Sequence, residues 1–225
     1  IDYTDGGCPV LLTEPQSTNL ITDSNDFSVS DWTKLGATVV GGFHSPDGSS
    51  NATKLVEDTS NGQHKVDPQS ISVVNGTAYT SFVFAKKDSR DIIQMVFSGS
   101  FGSSYVNFDL TNGTFQEGGI VTGKIESFTN GWYKCSITQT AGADGLGRCQ
   151  ILLQDSISAT RFGSYQGDGT SGVYLFGAQL EELSYATSYI PTYGAVRTRL
   201  QDSVTGAGTS SDFNSAEGVL FIETS

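Results

Sequence analysis

The chain has 225 residues and a formal net charge of −12, with 24 acidic residues against 12 Lys and Arg. A phosphate backbone or an anionic membrane rewards clustered Lys and Arg, so this balance argues against nucleic acid and anionic lipid as partners. The basic residues are scattered, apart from the neighbours Lys86 and Lys87 and the pair Arg197 and Arg199. The longest apolar runs fall far short of the roughly 20 residues that a membrane-spanning helix needs.

Alternating apolar and polar residues run along most of the chain between turn signals. Only 16% of the residues are charged, and Gly, Ser, Thr, Val, Ile, Tyr and Phe are abundant, which is typical of β-structure. Asn-Gly, Asp-Gly and Pro-Asp-Gly sequences separate the runs and allow the chain to reverse tightly. The pattern predicts strands at 37–43, 52–57, 69–74, 78–86, 92–98, 104–110, 125–128, 132–139, 149–154 and 173–180.

About ten short strands without an amphipathic helix between them exclude a parallel α/β fold, because parallel strands need long crossover connections. The prediction is an all-β fold: an antiparallel two-sheet β-sandwich of jelly-roll type. Side-chain alternation assigns the faces of the strands. In the run SSYVNFDL, Val106 and Phe108 face the core while Tyr105, Asn107 and Asp109 face away from it.

The residue composition of the chain changes near both ends. Residues 1–18 are predicted to be an arm or linker, and residues 19–192 the jelly-roll module. Residues 193–217 are polar and rich in Gly and Ser, which is typical of a connector. Residues 218–225, with the run GVLFIETS, are expected to be the first strand of a following domain or a strand used in assembly, since a bare terminal strand exposes unpaired backbone groups.

Three cysteines cannot all pair within one chain. Cys135 and Cys149 are in phase with inward apolar residues, so we expect buried free thiols, which pack well in a core. A cross-strand disulfide between them is the alternative. The spacings between the three cysteines do not resemble a zinc motif such as C-x-x-C.

The motifs of common catalytic machinery are absent from the sequence. His44 and His64 are the two histidines, and neither lies in a pattern such as H-E-x-x-H. A G-x-S-x-G nucleophile elbow and a phosphate-binding loop are also missing. Pairs of carboxylates at glycosidase distance arise by chance among so many acids, so they carry little information. The sequence therefore predicts that the chain is not an enzyme.

A glycan-binding surface is predicted from exposed aromatic and polar side chains. Sugars present apolar C–H faces edged by hydroxyl groups, so their sites combine a stacking ring with amides or carboxylates. The candidates are the outward set Tyr105, Asn107 and Asp109, then Trp132, which is outward by phase, and Tyr165, which lies in a turn. A structural calcium ion is compatible with the oxygen-rich loops, although no spacing assigns its ligands.

Three sequence motifs carry a resemblance to a known family: LLTEPQSTNLI at residues 11–21, NGWYKCSIT at 130–138, and GDGTSGVYLFGAQLE at 167–181 followed by SYATSYIPT at 184–192. Together they resemble the carbohydrate-binding-module-like jelly-roll domains of bacteriophage tail and fibre proteins. In those proteins a comparable connector leads to a concanavalin-like or laminin-G-like lectin domain.

The resemblance implies an extracellular virion component that projects from the tail, in an assembly that is usually a homotrimer. Its partners would be host-surface polysaccharide or other tail proteins. Three functions stay open: a glycan-binding or receptor-binding module, a purely structural virion spacer, and an accessory carbohydrate-binding domain of a secreted polysaccharide-degrading enzyme. The resemblance supplies no catalytic residue.

Overall fold

The computed structural model describes residues 13–203. Outside these residues lie the predicted strand at 218–225, Cys8, and the outer parts of the predicted arm and connector. Seventeen strands and one 3₁₀ turn, Thr129–Gly131, make up the regular structure of the described part of the chain.

The strands are short and follow one another along the chain. They are β1 (Ser17–Asn19), β2 (Trp32–Leu35), β3 (Ala37–Phe43), β4 (Ala52–Glu57), β5 (Asn61–Gly62), β6 (His64–Pro68), β7 (Ile71–Val73), β8 (Ala78–Lys87), β9 (Ile92–Gly99), β10 (Tyr105–Asp109), β11 (Thr114–Gly118), β12 (Thr122–Ser127), β13 (Tyr133–Thr140), β14 (Gly145–Gln154), β15 (Tyr165–Gln166), β16 (Gly172–Glu181) and β17 (Arg197–Arg199).

Two antiparallel sheets form the layers of a β-sandwich. The first sheet has seven strands in the order β11-β10-β9-β14-β6-β2, with β7 also paired to β14, and the second has six in the order β12-β13-β8-β16-β4-β3. The pairs β1-β17 and β15-β5 form two small sheets. The predicted fold class, an antiparallel two-sheet β-sandwich of jelly-roll type, is confirmed.

The core between the sheets contains the residues that the alternation placed inward. Val106 and Phe108 of the first sheet and Val83 and Ile137 of the second are fully buried in one apolar cluster. Fully burying a side chain of this size stabilises the fold by about 1.5–3 kcal/mol. Alternation failed to reveal β11, because its residues are mostly exposed on both faces.

The outer faces of both sheets are partly covered by long loops. On the first sheet, the Asn107 amide donates to the carbonyl oxygens of Ile157 (2.9 Å) and Ala159 (2.7 Å) in the 155–163 segment. On the second sheet, Phe82, Phe84, Trp132 and Phe176 form a second apolar cluster with Ala52, and Ala186 and Tyr189 of the 182–193 segment pack against it. Part of each outer face is therefore buried.

The 182–193 segment is held to the second sheet by buried polar groups. The Glu181 carboxylate accepts hydrogen bonds from the backbone N–H (2.9 Å) and the hydroxyl (2.7 Å) of Thr187. Gln179 accepts one from the Ile190 N–H (2.7 Å), and the Asn19 amide donates to the Ile190 carbonyl (2.9 Å). Buried polar groups that are fully paired fix one arrangement of the chain, so this segment has a defined path.

The compact sandwich unit extends from Ser17 to Arg199. Its first and last strands, β1 and β17, pair with Ser17 opposite Arg199. The predicted module 19–192 lies within this unit, and residues 197–199 of the predicted 193–217 connector form β17. In a second unit, which contributes 13–16 and 200–203 to the described residues, the Glu14 N–H donates to the Asp202 carboxylate (3.0 Å). The assignment of a connector and a following domain stays a prediction.

No helix among residues 13–203 is long and apolar enough to cross a bilayer.

Cys135 and Cys149 are free thiols in the core between the sheets. Cys135 lies opposite Val83 in the second sheet, whereas Cys149 lies opposite Phe97 in the first sheet. The two cysteines are therefore not cross-strand neighbours, in agreement with the expectation of buried free thiols. Burial raises the pKa of the Cys149 thiol to about 12 and also raises that of Cys135.

We expect neither Cys135 nor Cys149 to react with iodoacetamide in the folded protein at about pH 8, because the thiolate is the reactive form and both thiols are buried. Peptide mass spectrometry after labelling checks this, with the urea-unfolded chain as the control in which both react. Labelling of either cysteine in the folded chain as fast as in urea would contradict the burial.

Candidate functional site

A groove on the outer side of the second sheet is the candidate site. Two adjoining cavities form it, one of about 270 Å³ and one of about 410 Å³. Both are lined by Asn25, Asn51 and Tyr193, so the cavities meet at these residues. We call the smaller cavity the aromatic arm and the larger one the polar arm.

The aromatic arm is walled by rings. Its apolar lining consists of Phe84, Phe128, Phe176, Tyr189, Tyr193, Pro46 and Pro191. Tyr193 is 72% exposed and Phe128 46% exposed, although both are large apolar side chains. Phe84 packs edge-to-face on Phe128, with ring centroids 5.2 Å apart. The aromatic arm therefore combines two exposed rings, Tyr193 and Phe128, with buried rings such as Phe84 and Phe176.

A tight turn leaves Phe128 exposed and places Trp132 in the buried apolar cluster on the outer face of the second sheet. The Phe128 N–H donates to the Trp132 carbonyl (2.7 Å), and the Trp132 N–H donates to the Thr129 carbonyl (3.2 Å). Asn130 (φ 57°) and Gly131 (φ 78°) adopt left-handed conformations in this turn, which Asn and Gly tolerate best. The Asn-Gly signal seen in the sequence thus positions one exposed ring of the groove.

The Tyr189 hydroxyl orients the amide at the junction of the two arms. It donates to Asn25 Oδ1 (2.6 Å) and contacts the Ser24 hydroxyl (2.5 Å). Burial raises the pKa of Tyr189 well above its ordinary value, so its hydroxyl keeps the proton that it donates. Because Oδ1 faces Tyr189, Nδ2 of Asn25 is left as a donor, and it makes no hydrogen bond to residues of the described chain.

Asp47 supplies a carboxylate to the aromatic arm from a β-turn. Its Oδ1 accepts hydrogen bonds from the Ser45 hydroxyl (2.6 Å) and from the Ser49 N–H (2.9 Å) and hydroxyl (2.6 Å). Partial burial acts to raise the pKa of Asp47, but these hydrogen bonds and one from Asn51 outweigh it and hold the pKa below its ordinary value. Asp47 is therefore a fixed negative charge at neutral pH.

The polar arm adjoins the aromatic arm at Tyr193. It is lined by Asp23, Asn25, Asp26, Ser28, Gly41, Asn51, Thr53, Thr192 and Tyr193. The Asp23 carboxylate accepts a hydrogen bond from the Gly194 N–H (2.9 Å), which ties it to the loop that carries Tyr193. The arm therefore presents carboxylate, amide and hydroxyl groups beside an exposed ring.

A larger cavity of about 690 Å³ lies elsewhere on the sandwich, beside Phe101, Ile120 and Gln139. Its aromatic side chain, Phe101, is 1% exposed, so it offers no ring face to a ligand. Charged side chains do not line it. The groove beside Tyr193 is therefore the better candidate.

The predicted set Tyr105, Asn107 and Asp109 lies on the outer face of the first sheet, whereas the groove lies on the second sheet. Asn107 is only 1% exposed, so the expectation that it is open to solvent is wrong; the 155–163 segment covers it. Asp109 accepts hydrogen bonds within its own turn from Thr111 and Asn112, and Tyr105 is half-buried beside Gly118.

Trp132 and Tyr165 are also interior residues, so their expected exposure is wrong. Trp132 does point away from the core between the sheets, but the 182–193 segment covers it and leaves 2% exposed. The Tyr165 hydroxyl donates to buried Glu57 (2.6 Å). The structure does not bring the five predicted residues together, and none of them lines either arm. Their contact with a ligand stays a prediction.

Sequence reasoning missed the residues of the groove, although two signals pointed toward them. Phe128 precedes the Asn-Gly turn in SFTNGW, and Tyr193 lies in SYIPTYG beside a proline and a glycine. A ring next to residues that force a turn cannot continue an alternating strand, so it is a candidate for exposure. Asn25 and Asp47 carried no comparable signal.

The described residues include no group of three or more His, Cys, Asp or Glu side chains placed to hold a metal ion. Backbone and amide oxygens also bind calcium, so the structural calcium ion stays a prediction without assigned ligands.

The sequence matches no protein-family model and no curated protein. Several solved structures are similar to the chain, among them the two that follow. One contains the CBM22-1 and GH10 modules of endo-1,4-β-D-xylanase 10B from Clostridium thermocellum complexed with xylohexaose (12% identity, TM-score 0.41). The match covers 76% of this chain and 30% of that one. The other is the CBM22-1 xylan-binding domain of Xyn10C from Paenibacillus barcinonensis (13% identity, TM-score 0.37), covering 76% of this chain and 94% of that one. Both likenesses concern the fold alone.

Proposed function

We propose that this chain is a non-catalytic glycan-binding module and that a sugar chain binds in the groove beside Tyr193. The observation that carries the proposal is the pair of exposed rings, Tyr193 and Phe128, next to the amides Asn25 and Asn51 and the carboxylate Asp47. Monomeric proteins usually cover large apolar side chains that cluster in this way, and clustered exposure marks interaction sites.

The chemistry of the groove matches that of a sugar ring. The apolar C–H face of a pyranose stacks on an aromatic ring, while its hydroxyl groups both donate and accept hydrogen bonds. Tyr193 provides the ring, Asn25 Nδ2 a donor, and the carboxylates acceptors. Because the two arms meet at Tyr193, a polysaccharide can extend from one arm into the other.

The biological setting that we propose is the tail of a bacteriophage, as part of a homotrimeric, extracellular fibre or spike that contacts host polysaccharide. Its support is the sequence resemblance described above. The same motifs build the aromatic arm: the run NGWYKCSIT follows Phe128 and forms its turn, and SYATSYIPT carries Tyr189 and Pro191.

The test is binding of the purified chain to xylan, cellulose and chitin oligosaccharides and to bacterial capsular polysaccharides, measured by calorimetry. We expect saturable binding to at least one of them. Tyr193→Ala should weaken it about tenfold or more, about 1.4 kcal/mol, since a stacked ring contributes that order of free energy. Phe128→Ala should weaken it by a similar or smaller factor.

Tyr185→Ala is the matched control. Tyr185 is a 51% exposed tyrosine of the same 182–193 segment, but its side chain lines neither arm. The affinity of this variant should equal that of the unchanged chain. Absence of binding to every glycan, together with a trimer in solution, would support a purely structural virion module. A catalytic domain encoded beside this module would support an accessory domain of a polysaccharide-degrading enzyme.

A further inference from the structure

The groove has an uneven charge. Asp23 and Asp26 line the polar arm and Asp47 lines the aromatic arm, whereas neither lining contains Lys, Arg or His. Asp side chains are ionised at neutral pH, so three negative charges border the groove. A ligand that follows the groove past Tyr193 meets all three of them.

Each of these carboxylates is held in place by hydrogen bonds. Oδ1 of Asp23 accepts a hydrogen bond from the Gly194 N–H (2.9 Å), and Oδ1 of Asp26 accepts from the Ser28 N–H (2.9 Å) and hydroxyl (2.5 Å). The second oxygen, Oδ2, of Asp23 and of Asp26 accepts no hydrogen bond from the described residues. These oxygens are free to accept from a hydroxyl or an ammonium group.

The cation that interacts with Asp26 does not belong to the lining of the groove. Nζ of Lys34 donates to the carbonyl oxygens of Ser28 (2.8 Å) and Val29 (2.9 Å), and its charge interacts with that of Asp26. Lys34 offsets part of the charge of Asp26, but it lines neither arm, so the charged side chains that line the groove are all acidic.

We propose that the groove selects sugar chains by charge, and that it binds neutral or amino-sugar chains and rejects chains that carry carboxylates or phosphates. This inference rests on the proposed glycan-binding function. Fixed like charges a few ångströms apart repel, and the repulsion is strongest where water is partly displaced. An ammonium group would instead gain a charge-assisted hydrogen bond.

The test compares sugar chains that differ in charge and not in backbone. The probes are cellohexaose and its C6-carboxylate form, chitohexaose and its deacetylated form, and methyl-esterified and de-esterified pectin fragments. At about 20 mM salt, where screening is weak, we expect each neutral chain to bind about tenfold or more tightly than its carboxylated partner. Deacetylated chitohexaose should bind at least as tightly as chitohexaose.

The triple variant Asp23→Asn, Asp26→Asn, Asp47→Asn keeps an oxygen acceptor at every position and removes the three charges. We expect the preference for the neutral chain to fall to about threefold or less, as it should for the unchanged chain at about 0.5 M salt. The control removes three exposed acids that line neither arm, as Asp144→Asn, Asp155→Asn, Glu182→Gln, and it should keep the full preference.

The outcomes separate this inference from the proposed function. Binding that depends on Tyr193 and is equal for neutral and carboxylated chains would overturn the charge selection and leave glycan binding intact. Tighter binding of a carboxylated chain in the presence of Ca²⁺ would also overturn it, because the acids would then act through a bridging cation. Failure of every probe, charged or neutral, and of every glycan in the panel above would overturn both.

Discussion

Replacing Trp132 with Ala is expected to lower the free energy of unfolding by about 3–5 kcal/mol, the usual cost of deleting a buried aromatic side chain. Trp132 is 2% exposed and belongs to the apolar cluster on the outer face of the second sheet. Its removal leaves a cavity beneath the 182–193 segment, next to Phe82 and Phe84. Urea unfolding followed by far-ultraviolet circular dichroism measures the loss.

Two further variants make this result specific. Phe128→Ala removes a 46% exposed ring from the wall of the groove and should cost less than about 1 kcal/mol. Trp132→Phe keeps part of the packing and should fall between the two. If Trp132→Ala unfolds at the same urea concentration as the unchanged chain but fails to bind glycan, Trp132 is a ligand-binding residue, as the sequence predicted, and its packing role is wrong.

Replacing Glu57 with Gln is expected to cost about 2–4 kcal/mol at pH 7. The Glu57 side chain is fully buried and forms two 2.8 Å hydrogen bonds with the Arg90 guanidinium. It also accepts from the Tyr165 hydroxyl (2.6 Å) and the Asp168 N–H (2.9 Å). Breaking a buried ion pair from one side costs about 3–5 kcal/mol, and we lower this figure because Arg90 is 23% exposed and can turn toward water.

The same variant should change how stability depends on pH. Burial acts to raise the pKa of Glu57, but the hydrogen bonds from Arg90, Tyr165 and the Asp168 backbone outweigh it and hold the pKa below its ordinary value. In the unfolded chain a Glu titrates near its ordinary pKa of about 4.3. The stabilisation is therefore complete above about pH 5 and is lost as the pH falls through the lowered pKa of the folded state.

We thus expect the stability difference between the unchanged chain and Glu57→Gln to be constant from about pH 7 to pH 5 and to shrink below about pH 4. Urea unfolding at each pH measures it. Glu126→Gln is the control, because its 2.8 Å pair with Lys124 is exposed and such pairs contribute less than about 1 kcal/mol. Equal effects of the two substitutions at pH 7 would show that the buried pair adds nothing beyond a surface pair.

The cluster of Glu57, Arg90 and Tyr165 is structural, because both oxygens of the Glu57 carboxylate are already hydrogen-bonded within the protein. Arg90 also lies over the Tyr165 ring, 4.9 Å from its centroid. This explains why Tyr165, which the sequence offered as a ligand-binding residue, is buried instead. Its ring and hydroxyl both have partners within the fold.

Alternation along the strands was sufficient to predict the fold class. It placed Val106 and Phe108 in the core and Asn107 on the opposite face, and that separation is correct. Strand formation and side-chain phase depend on residues that are neighbours in sequence, so a single sequence can reveal them. Alternation did not reveal every strand. β6 is buried along its whole length and β11 is mostly exposed, so neither has an apolar face that alternates with a polar one. The short strands β1, β2, β5, β15 and β17 were not predicted either.

Exposure was harder to predict, because it depends on residues that are distant in sequence. Side-chain phase shows that Asn107 and Trp132 point away from the core between the sheets, but it cannot show that another segment covers them. The 155–163 and 182–193 segments contain no alternating pattern, so their paths across the sheets were not predictable from local periodicity. Both paths are fixed by buried hydrogen bonds such as those of Asn107 and Asn19.

The groove was hidden for the same reason. Asn25, Asp47, Phe128 and Tyr193 come from four loops spread over most of the module, and only the strand order of the second sheet and the path of the 182–193 segment bring them together. By itself the sequence determined the class of fold, the faces of most strands and the acidic character of the surface, because each follows from local pattern or composition. Which rings stay exposed, and which carboxylates surround them, was decided by tertiary packing between segments that have no pattern in common.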